Sequence, residues 1–448
     1  MKHQMFSHLF HPDPLAFIMI GVILTIGATV TCFSSRYMKG GRHYYSFMGL
    51  LMALIIFLSV MVCADNLFLL LSLWGICNIL LVKLMVHESK WLAAKASGVI
   101  AARTFIFGFI CIGLGFFILY ADHQNASINY IVHSKHSSPN IDIALMLILI
   151  GAMTQSGLWP FHRWLISSLN SPTPISAIMH AGLVNGGGFL LARFSPLYIV
   201  HPFILTSIFL IGLFSAIAGT FWKLMQNDVK RMLACSTMGQ MGFMFAQCGM
   251  GLFPAAIAHL CFHGFFKANL FLSSPGVINE KRLSINNIVN FKSFLIAFLC
   301  GLIGLQFFSL ISDISYIKYN TNLIMVALFL IVCTQSALTF LFENHFKNIL
   351  ISLIFSIFLG TLYGFMIKII RNILNGDFSY PAPAMNIFYV FGLIILIACW
   401  LMFLLYPLIK NKNLIPDKVS FYIYMNALNA SQPHPKTITS NRNDYSFD

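Results

Sequence analysis

Long apolar runs, separated by short polar stretches, fill the sequence from about residue 15 to residue 408. A helix needs about 20 apolar residues to cross the hydrocarbon of a bilayer, so each long run can form one transmembrane helix. Only 9% of the residues are charged, whereas soluble domains carry roughly a quarter. This combination excludes an ordinary soluble enzyme and predicts an all-α, polytopic membrane protein of about 13 transmembrane helices. The thirteen runs lie approximately at 15–33, 46–64, 66–86, 98–120, 141–158, 175–192, 204–224, 232–250, 252–272, 293–311, 322–341, 349–370 and 385–408.

The eighth run is the weakest of the thirteen. Three polar residues dilute it, Ser236, Thr237 and Gln240. Polar groups at membrane depth are tolerated where they face protein or a water-filled cavity. We therefore expect these side chains to face the interior of the helical bundle.

The basic residues are concentrated on alternate loops. If the N-terminus is outside, 20 of the 27 Lys and Arg residues fall on the cytoplasmic side, 6 fall on the outer side and Lys267 lies within a run. Loops rich in Lys and Arg stay in the cytoplasm, so the split predicts an outside N-terminus and a cytoplasmic C-terminus. The same loops account for the net charge of +14 without a nucleic-acid site. Residues 1–410 then form a transmembrane domain, and residues 411–448 form a cytoplasmic polar tail, either disordered or folded onto a partner.

The ten cysteines are scattered singly, with no Cys-x-x-Cys and no Cys/His spacing that suits zinc. Each is interpreted as a small buried hydrophobic residue. The sequence therefore predicts no metal site and no cofactor in this chain.

Three ionisable residues occur at four-residue intervals in the ninth run: His259, His263 and Lys267. This spacing places them on one helical face, about 6 Å apart per step along the axis. Ionisable side chains inside a membrane cost a few kcal/mol each and are candidates for function. Two imidazoles followed by an amine suit a proton relay. In the alternative interpretation the histidines satisfy polar neighbours and Lys267 extends to the interface.

A segment that breaks the helical pattern joins the fifth and sixth runs. It contains three prolines, Pro160, Pro172 and Pro174, and further on a run of glycines at 186–188. Prolines and clustered glycines favour a helix interrupted at membrane depth. The carbonyls exposed by such an interruption are tolerated only along a cavity or an ion path. His180 and Asn185 lie in this helix and are candidates for that path.

Three charged residues stand at the cytoplasmic entrance of the eighth run: Asp228, Lys230 and Arg231. We interpret them as an interfacial charge cluster that fixes the position of the helix. Proton capture is the alternative role.

At four ordered motifs the chain resembles the proton-conducting antiporter family, which includes the antiporter-like membrane subunits of respiratory complex I and of Mrp-type sodium/proton antiporters. The motifs are GAMTQSGLWPFHRWL (151–165), SPTPISAIMHAG (171–182), NDVKRMLACSTMGQMGF (227–243) and AHLCFHGFFKANLFL (258–272). The resemblance covers an antiporter-like core of about residues 60–280. It implies a broken helix, an inverted structural repeat and a central polar axis that carries protons.

The resemblance also implies roles for individual residues. His180, His259, His263 and Lys267 match family positions in the polar axis, and Asp228 and Lys230 match the cytoplasmic motif. Gln155 and Asn185 are then neutral hydrogen-bonding links in the same proton path.

The chain differs from the pumping members of the family at three places. Those members carry a Glu directly after the Trp of the third-run motif, where this chain has Gly75 after Trp74. They carry a Lys at the position of Gln155 and another in the tenth run, where residues 293–311 contain none. A pump driven by that Glu/Lys pair cannot operate in the same form here.

The run HAGLVNGGGFLLARFSPL (180–197) is similar to the DabB branch, also called MpsA, the membrane subunit of a two-part inorganic-carbon uptake system. This resemblance implies a proton-conducting subunit in the bacterial cell membrane that is not itself an enzyme. Its partner is DabA, a large cytoplasmic zinc protein similar to β-carbonic anhydrases. The partner hydrates CO2 to bicarbonate, and cation flux through the membrane subunit drives the accumulation.

Two alternatives remain open from the sequence. One is an antiporter-like subunit of a NADH:quinone oxidoreductase or of a Mrp-type cation/proton antiporter. The other is a degenerate subunit that serves as a membrane anchor, although an anchor has no need of costly ionisable residues such as Lys267. The scarcity of carboxylates inside the runs favours H+ over Na+ as the driving ion, because sodium sites use oxygen ligands.

Overall fold

The computed structural model describes residues 9–134, 138–274, 290–314, 319–341, 346–374, 380–411 and 417–438. Within these ranges almost all of the chain is helical. The longer helices are α1 (Pro14–Tyr37), α2 (Tyr44–Val62), α3 (Leu67–Met85), α4 (Leu92–His123), α6 (Pro139–Ser156), α8 (Thr173–Ala181), α9 (Gly186–Arg193), α11 (Pro202–Met225), α12 (Val229–Gly249), α13 (Phe253–Ser273), α14 (Phe291–Ser312), α15 (Asn322–Phe340), α16 (Phe346–Ile373), α17 (Ile387–Asn411) and α18 (Asp417–Ala430). Short helices are α5 (Ile128–His133), α7 (Arg163–Ile166) and α10 (Ser195–Ile199), with 3₁₀ turns at Ser168–Asn170, Leu183–Asn185 and Pro435–Thr437.

Local sequence explains where several helices begin. The Asp13 carboxylate accepts a hydrogen bond from the Ala16 amide just before Pro14 starts α1. The Asn66 side chain accepts from the amides of Phe68 and Leu69 at the start of α3. Such caps satisfy amides that have no partner inside the helix, so they fix its first residue.

Twelve of the described helical stretches are long and apolar enough to cross a membrane, which confirms the predicted polytopic all-α fold. Each corresponds to one of the predicted runs. The remaining run, the eighth, forms α12, which has 21 residues and is long enough to span but is too polar to be counted by composition. Its polar residues are the reason, as the dilution by Ser236, Thr237 and Gln240 indicates. The inverted repeat stays a prediction.

The chain divides into two compact units. The first comprises residues 1–248, 259–279 and 427–448, and the second comprises 249–258 and 280–426. In the first unit α11 and α12 are in backbone contact. A Cβ on Gly212 would lie 2.6 Å from the Gly242 carbonyl oxygen, and a Cβ on Gly242 would lie 2.7 Å from the Gly212 oxygen. Small residues allow such close approach between membrane helices, and here they hold α12 firmly in its unit.

The second unit contains α14, α15, α16 and α17. Phe308 of α14 stacks on Phe329 of α15 and on Tyr363 of α16, with ring centroids 4.4 and 5.7 Å apart. The Tyr389 hydroxyl donates to the Gly249 carbonyl (2.7 Å), and the Thr321 hydroxyl donates to the Met250 carbonyl (2.7 Å). These contacts fix residues 249–250 to the unit at the point where the chain enters α13.

Candidate functional site

The helix between Thr173 and Arg193 is interrupted, as the sequence predicts. Segment α8 ends at Ala181, a 3₁₀ turn covers Leu183–Asn185, and α9 starts at Gly186. Pro160 lies in the loop before α7, and Pro172 and Pro174 lie at the start of α8, where proline is well tolerated. None of the three prolines lies at the break, because Pro160 and Pro172 precede α8 and Pro174 is in its first turn; the interruption itself lies at residues 182–185.

Side chains satisfy carbonyls at the interruption. The Ser156 hydroxyl donates to the Val184 carbonyl (2.7 Å), and the Gln155 amide donates to the Leu183 carbonyl (3.4 Å). The Asn185 amide donates to the Ala181 carbonyl (2.7 Å). The last turn of α6 thus lies against the interruption, and Gln155 and Asn185, both predicted path residues, are neighbours of the same exposed backbone.

His180 is buried near the end of α8. Its ring stacks on Phe271 of α13, with centroids 4.3 Å apart and planes 14° apart. Its Nδ1 lies 3.1 Å from the Thr237 hydroxyl, which itself donates to the Leu233 carbonyl (2.9 Å). Because Thr237 donates to Leu233, it accepts from His180 Nδ1, and Nε2 is left as the basic nitrogen of the ring.

Lys267 is fully buried, with 0% of its surface exposed. Its Nζ donates to the Leu233 carbonyl at 3.0 Å. Within the described part of the chain, no carboxylate lies within 4.0 Å of this ammonium group. Lys267 does not extend to the interface, and the Leu233 carbonyl and the Thr237 hydroxyl connect it to His180.

His259 and His263 lie one turn apart on α13, with parallel rings whose centroids are 6.2 Å apart. His259 Nε2 and both ring nitrogens of His263 are buried and make no hydrogen bond within the described residues. A buried polar atom normally has a protein or water partner. This face of α13 therefore suits a line of ordered water molecules between the imidazoles.

Helix α13 passes close to the interruption at Gly264. A Cβ at this position would lie 2.9 Å from the Ala181 carbonyl oxygen and 3.5 Å from Asn185 Nδ2. Asn185 Oδ1 is buried and accepts no hydrogen bond from the described residues. Gly264, directly after His263, is thus the point at which α13 meets the interrupted helix. All six predicted path residues lie in the first unit.

The predicted charge cluster lies at the start of α12. The Asp228 carboxylate accepts from the Arg231 amide (2.8 Å), as a helix cap does. The Lys230 ammonium donates to the carbonyls of Leu169 (3.4 Å) and Ser171 (3.2 Å). These contacts join the start of α12 to the segment before α8; the positioning role of the cluster stays a prediction.

Residues 430–437, here called the C-terminal strap, belong to the tail that the sequence predicts to be disordered or folded onto a partner, but they contact this chain itself. The strap packs on the first unit, with Ser431 fully buried. Gln226 donates to the Ser431 hydroxyl (2.8 Å), Arg231 donates to the Gln432 side chain (3.0 Å), and Asn170 donates to the Thr437 carbonyl (2.8 Å). The strap therefore covers the side of the unit where α8 and α12 begin.

His162 contacts the same strap. Its Nε2 lies 3.4 Å from the Ala430 carbonyl, and its ring lies against Trp222 with centroids 4.8 Å apart. Burial lowers the pKa of His162 to about 4, outweighing the opposite effect of the Ala430 hydrogen bond. The imidazole is therefore neutral at pH 7.

Two groups in the site went unrecognised from sequence, the Thr237 hydroxyl and the Leu233 carbonyl. For Thr237 the signal was present, since polar residues in a weak span are expected to face protein; Thr237 does so, whereas Gln240 of the same span is exposed, contrary to that expectation. A backbone carbonyl carries no signal of its own in a sequence.

Comparison with known proteins places these features in a family. Residues 64–339 match the family described as "NADH:quinone oxidoreductase/Mrp antiporter, TM". A similar curated protein is the "Probable inorganic carbon transporter subunit DabB1" of Halothiobacillus neapolitanus, 35% identical over 278 residues, which are 60% of this chain and 50% of that protein. The corresponding DabB of Bacillus subtilis is 36% identical over 281 residues, 61% of this chain and 55% of that protein. The chain spans about half the length of these relatives.

Two further similarities extend over more of the chain. The "NADH-quinone oxidoreductase subunit L" of Buchnera aphidicola is 30% identical over 418 residues, 82% of this chain and 67% of that protein. A chain in the "Structure of Mrp complex from Dietzia sp. DQ12-45-1b" superposes with a TM-score of 0.63 at 20% identity, covering 97% of this chain and 54% of that one. At this identity the likeness shows the fold alone. With its interrupted helix and its match over most of the sequence, the chain is a multi-pass, antiporter-like membrane subunit that belongs to the NADH:quinone oxidoreductase/Mrp antiporter family.

Proposed function

We propose that this protein is the proton-conducting membrane subunit of a two-component inorganic-carbon transporter. Protons pass along His180, His259, His263 and Lys267, with Gln155 and Asn185 as neutral links. The proton flux drives hydration of CO2 and accumulation of bicarbonate by a partner. The DabB relatives, 35% and 36% identical over 60% and 61% of this chain, support this substrate class.

One observation carries the proposed conduction, the burial of Lys267. A lysine amine with 0% exposure and, among the described residues, a single carbonyl partner at 3.0 Å is costly inside a membrane. A protein that only anchors a partner gains nothing from this cost. Its connection through the Leu233 carbonyl and Thr237 to His180 gives a buried set of titratable groups at the interrupted helix, which is an arrangement suited to moving protons.

The chemistry of hydration then belongs to a partner of the DabA type, a large cytoplasmic zinc protein similar to β-carbonic anhydrases. This chain acts as a transporter subunit without an enzymatic site or a cofactor of its own. It lies in the bacterial cell membrane with its N-terminus outside and its C-terminus in the cytoplasm, in keeping with the 20 basic residues on that side.

The first test is complementation of a strain that needs high CO2, with the chain and its genomic neighbour expressed together. We expect His263→Ala to abolish rescue while the complex still assembles in detergent. The matched control is Phe262→Leu, because Phe262 is adjacent on α13 but partly exposed to lipid. Normal carbon uptake by an assembled His263→Ala protein would refute the proposed path.

The second test addresses the partner. Affinity purification of the tagged chain in mild detergent, followed by zinc analysis, is expected to recover a large zinc protein in stoichiometric amount. Recovery of redox subunits or of Mrp subunits instead would contradict the carbon-transport assignment and leave the conduction proposal standing.

The second candidate function is an antiporter-like subunit of a NADH:quinone oxidoreductase or of a Mrp-type antiporter. The 82% coverage by subunit L of Buchnera favours it, because that match extends beyond the part shared with the DabB relatives. Gly75 and Gln155 argue against it, since they replace the Glu and Lys that the pumping members carry. Sodium dependence of ion flux, measured in reconstituted vesicles, separates a Mrp-type antiporter from a proton conductor.

A further inference from the structure

A small cavity lies beside the interrupted helix in the first unit. Its volume is about 30 Å³, and it is bounded by residues of α1, α2, α3, α6 and the interrupted helix. Most of its walls are apolar side chains such as Met61, Trp74 and Cys77. Two carboxamides, Asn78 and Gln155, are the exceptions.

Neither carboxamide is well satisfied by the protein. Asn78 is 6% exposed, and its Nδ2 is buried and makes no hydrogen bond within the described residues. Gln155 is 4% exposed, and its amide has a carbonyl partner at 3.4 Å, near the upper limit for a hydrogen bond. Buried amides without partners are rare in folded proteins because they lose their hydration without replacement.

The cavity is large enough to supply the missing partner. A buried water needs about 10–15 Å³ of accessible volume and two to four polar neighbours, so about 30 Å³ accommodates one or two molecules. Asn78 and Gln155 provide those neighbours, and Gly182 and Leu183 of the interruption also line the cavity. A purely apolar cavity of this size would stay dry.

We propose that this cavity is a water-binding site held by Asn78 and Gln155, and that Asn78 is a positioning residue for proton transfer. The water bonded to the Asn78 amide links it to Gln155 and the interrupted helix, where the proton path passes. The role in transfer rests on the proposed function, whereas the presence of water does not.

The packing around Gly75 supports a neutral junction at this place. A Cβ on Gly75 would lie 2.9 Å from Cε2 of Phe109 on α4, so a Glu side chain there has no room unless Phe109 moves. Asn78, one turn further along α3, instead lines the cavity together with Trp74 and Gln155. Where the pumping relatives place a Glu and a Lys, this chain thus joins α3 and α6 with two carboxamides and water.

The junction continues towards α13. Ser156, the residue after Gln155, donates to the Val184 carbonyl. Asn185 follows Val184, and its Oδ1 is buried and accepts no hydrogen bond from the described residues. Gly264, next to His263, lies against Asn185. The order Asn78, Gln155, Asn185 and His263 therefore leads from the cavity to the histidines.

Radiolytic hydroxyl-radical footprinting of the complete protein in nanodiscs tests the water site directly. Radicals formed from a bound water oxidise adjacent reactive side chains, so Trp74 and Met61 become modified although both are only 4% exposed. Trp164, 0% exposed and outside the cavity, is the internal control. We expect Asn78→Leu to reduce oxidation of Trp74 and Met61 to the level of Trp164, and Asn78→Ser to retain it.

Proton flux into vesicles, measured on the same variants, tests the role in transfer. We expect a loss of flux with Asn78→Leu and its recovery with Asn78→Ser, and no change with Ile79→Leu, whose side chain is 59% exposed on the same helix. If Trp74 is not oxidised in the native protein, the water site is refuted, whatever the effect of His263→Ala. If Asn78→Leu dries the cavity without changing flux, the positioning role is refuted and the proposed path through His263 is untouched.

Discussion

At the scale of single residues, Lys267 is the side chain whose position is hardest to explain by stability. It is fully buried and has the Leu233 carbonyl as its hydrogen-bond partner. Replacing a buried charge by an apolar side chain of similar volume is often neutral or stabilising. Its presence is therefore better explained by function than by folding.

Lys267→Met is accordingly expected to separate function from stability. Methionine fills a similar volume without the charge, so we expect proton flux to be lost while the unfolding free energy stays the same or rises by about 1–3 kcal/mol. Flux in vesicles and thermal unfolding in detergent measure the two effects. Phe266→Leu, beside Lys267 but 57% exposed, should change neither. A strongly destabilised Lys267→Met protein would show that the lysine is structural.

His162 gives a prediction about pH. Its pKa is lowered by burial to about 4 from an ordinary value of 6.5. Between these values the unfolded chain binds a proton that the folded protein does not, so the stability of the region falls as the pH falls from about 6.5 to 4. The loss is limited to about 3 kcal/mol, from about 1.4 kcal/mol for each pKa unit.

Hydrogen exchange of the C-terminal strap measures this effect. We expect amides at residues 430–437 to lose protection at pH 5 relative to pH 7, after correction for intrinsic exchange rates. His162→Gln, which cannot titrate, should remove most of the difference. An equal pH response in His162→Gln would assign the effect to another group.

At the scale of elements, the approach of α13 to the interrupted helix depends on Gly264. A Cβ at this position would lie 2.9 Å from both the Ala181 carbonyl oxygen and Cδ1 of Ile26. Contacts this short force the helices apart. His263 directly precedes Gly264, so the separation would also move His263 away from Asn185.

We therefore expect Gly264→Val to lower the unfolding free energy by about 1–3 kcal/mol and to reduce proton flux. Gly21→Ala is the matched control, because α1 offers open space around Gly21. This change should stabilise the protein by about 0.5–1 kcal/mol through helix propensity. Unfolding in detergent compares the two, and an unaffected Gly264→Val protein would contradict the close approach.

The elements also show what the sequence could predict and why. The spans were predictable because lipid imposes a minimum apolar length, and the interruption at residues 182–185 was predictable from its glycines and nearby prolines. Lys267 could be placed on one face with His263 from spacing alone. Its partner could not, because a backbone carbonyl such as Leu233 looks the same at every position. The docking of the C-terminal strap was also hidden, since Ser431 and Gln432 are ordinary polar residues until their partners on α12 are known.

At the scale of the whole molecule, the titratable residues proposed for conduction fall in the first unit. The described spans of the second unit contain no Lys, Arg, Asp or Glu in their central turns, and α15 contains none along its whole length. Two of its four spans are also the least buried of the twelve, with 11% of the α17 span and 22% of the α16 span inside the protein. We therefore expect conduction to depend on the first unit and not on charged groups of the second.

The central claim is that protons cross this protein along the histidines and the lysine of α13. It is tested most directly by a pH-jump assay in proteoliposomes containing the native chain with any partner that copurifies, compared with His263→Gln. We predict proton entry in the native sample, its loss in His263→Gln, and native flux in Phe262→Leu. Proton entry at the native rate in a folded His263→Gln protein would contradict the account.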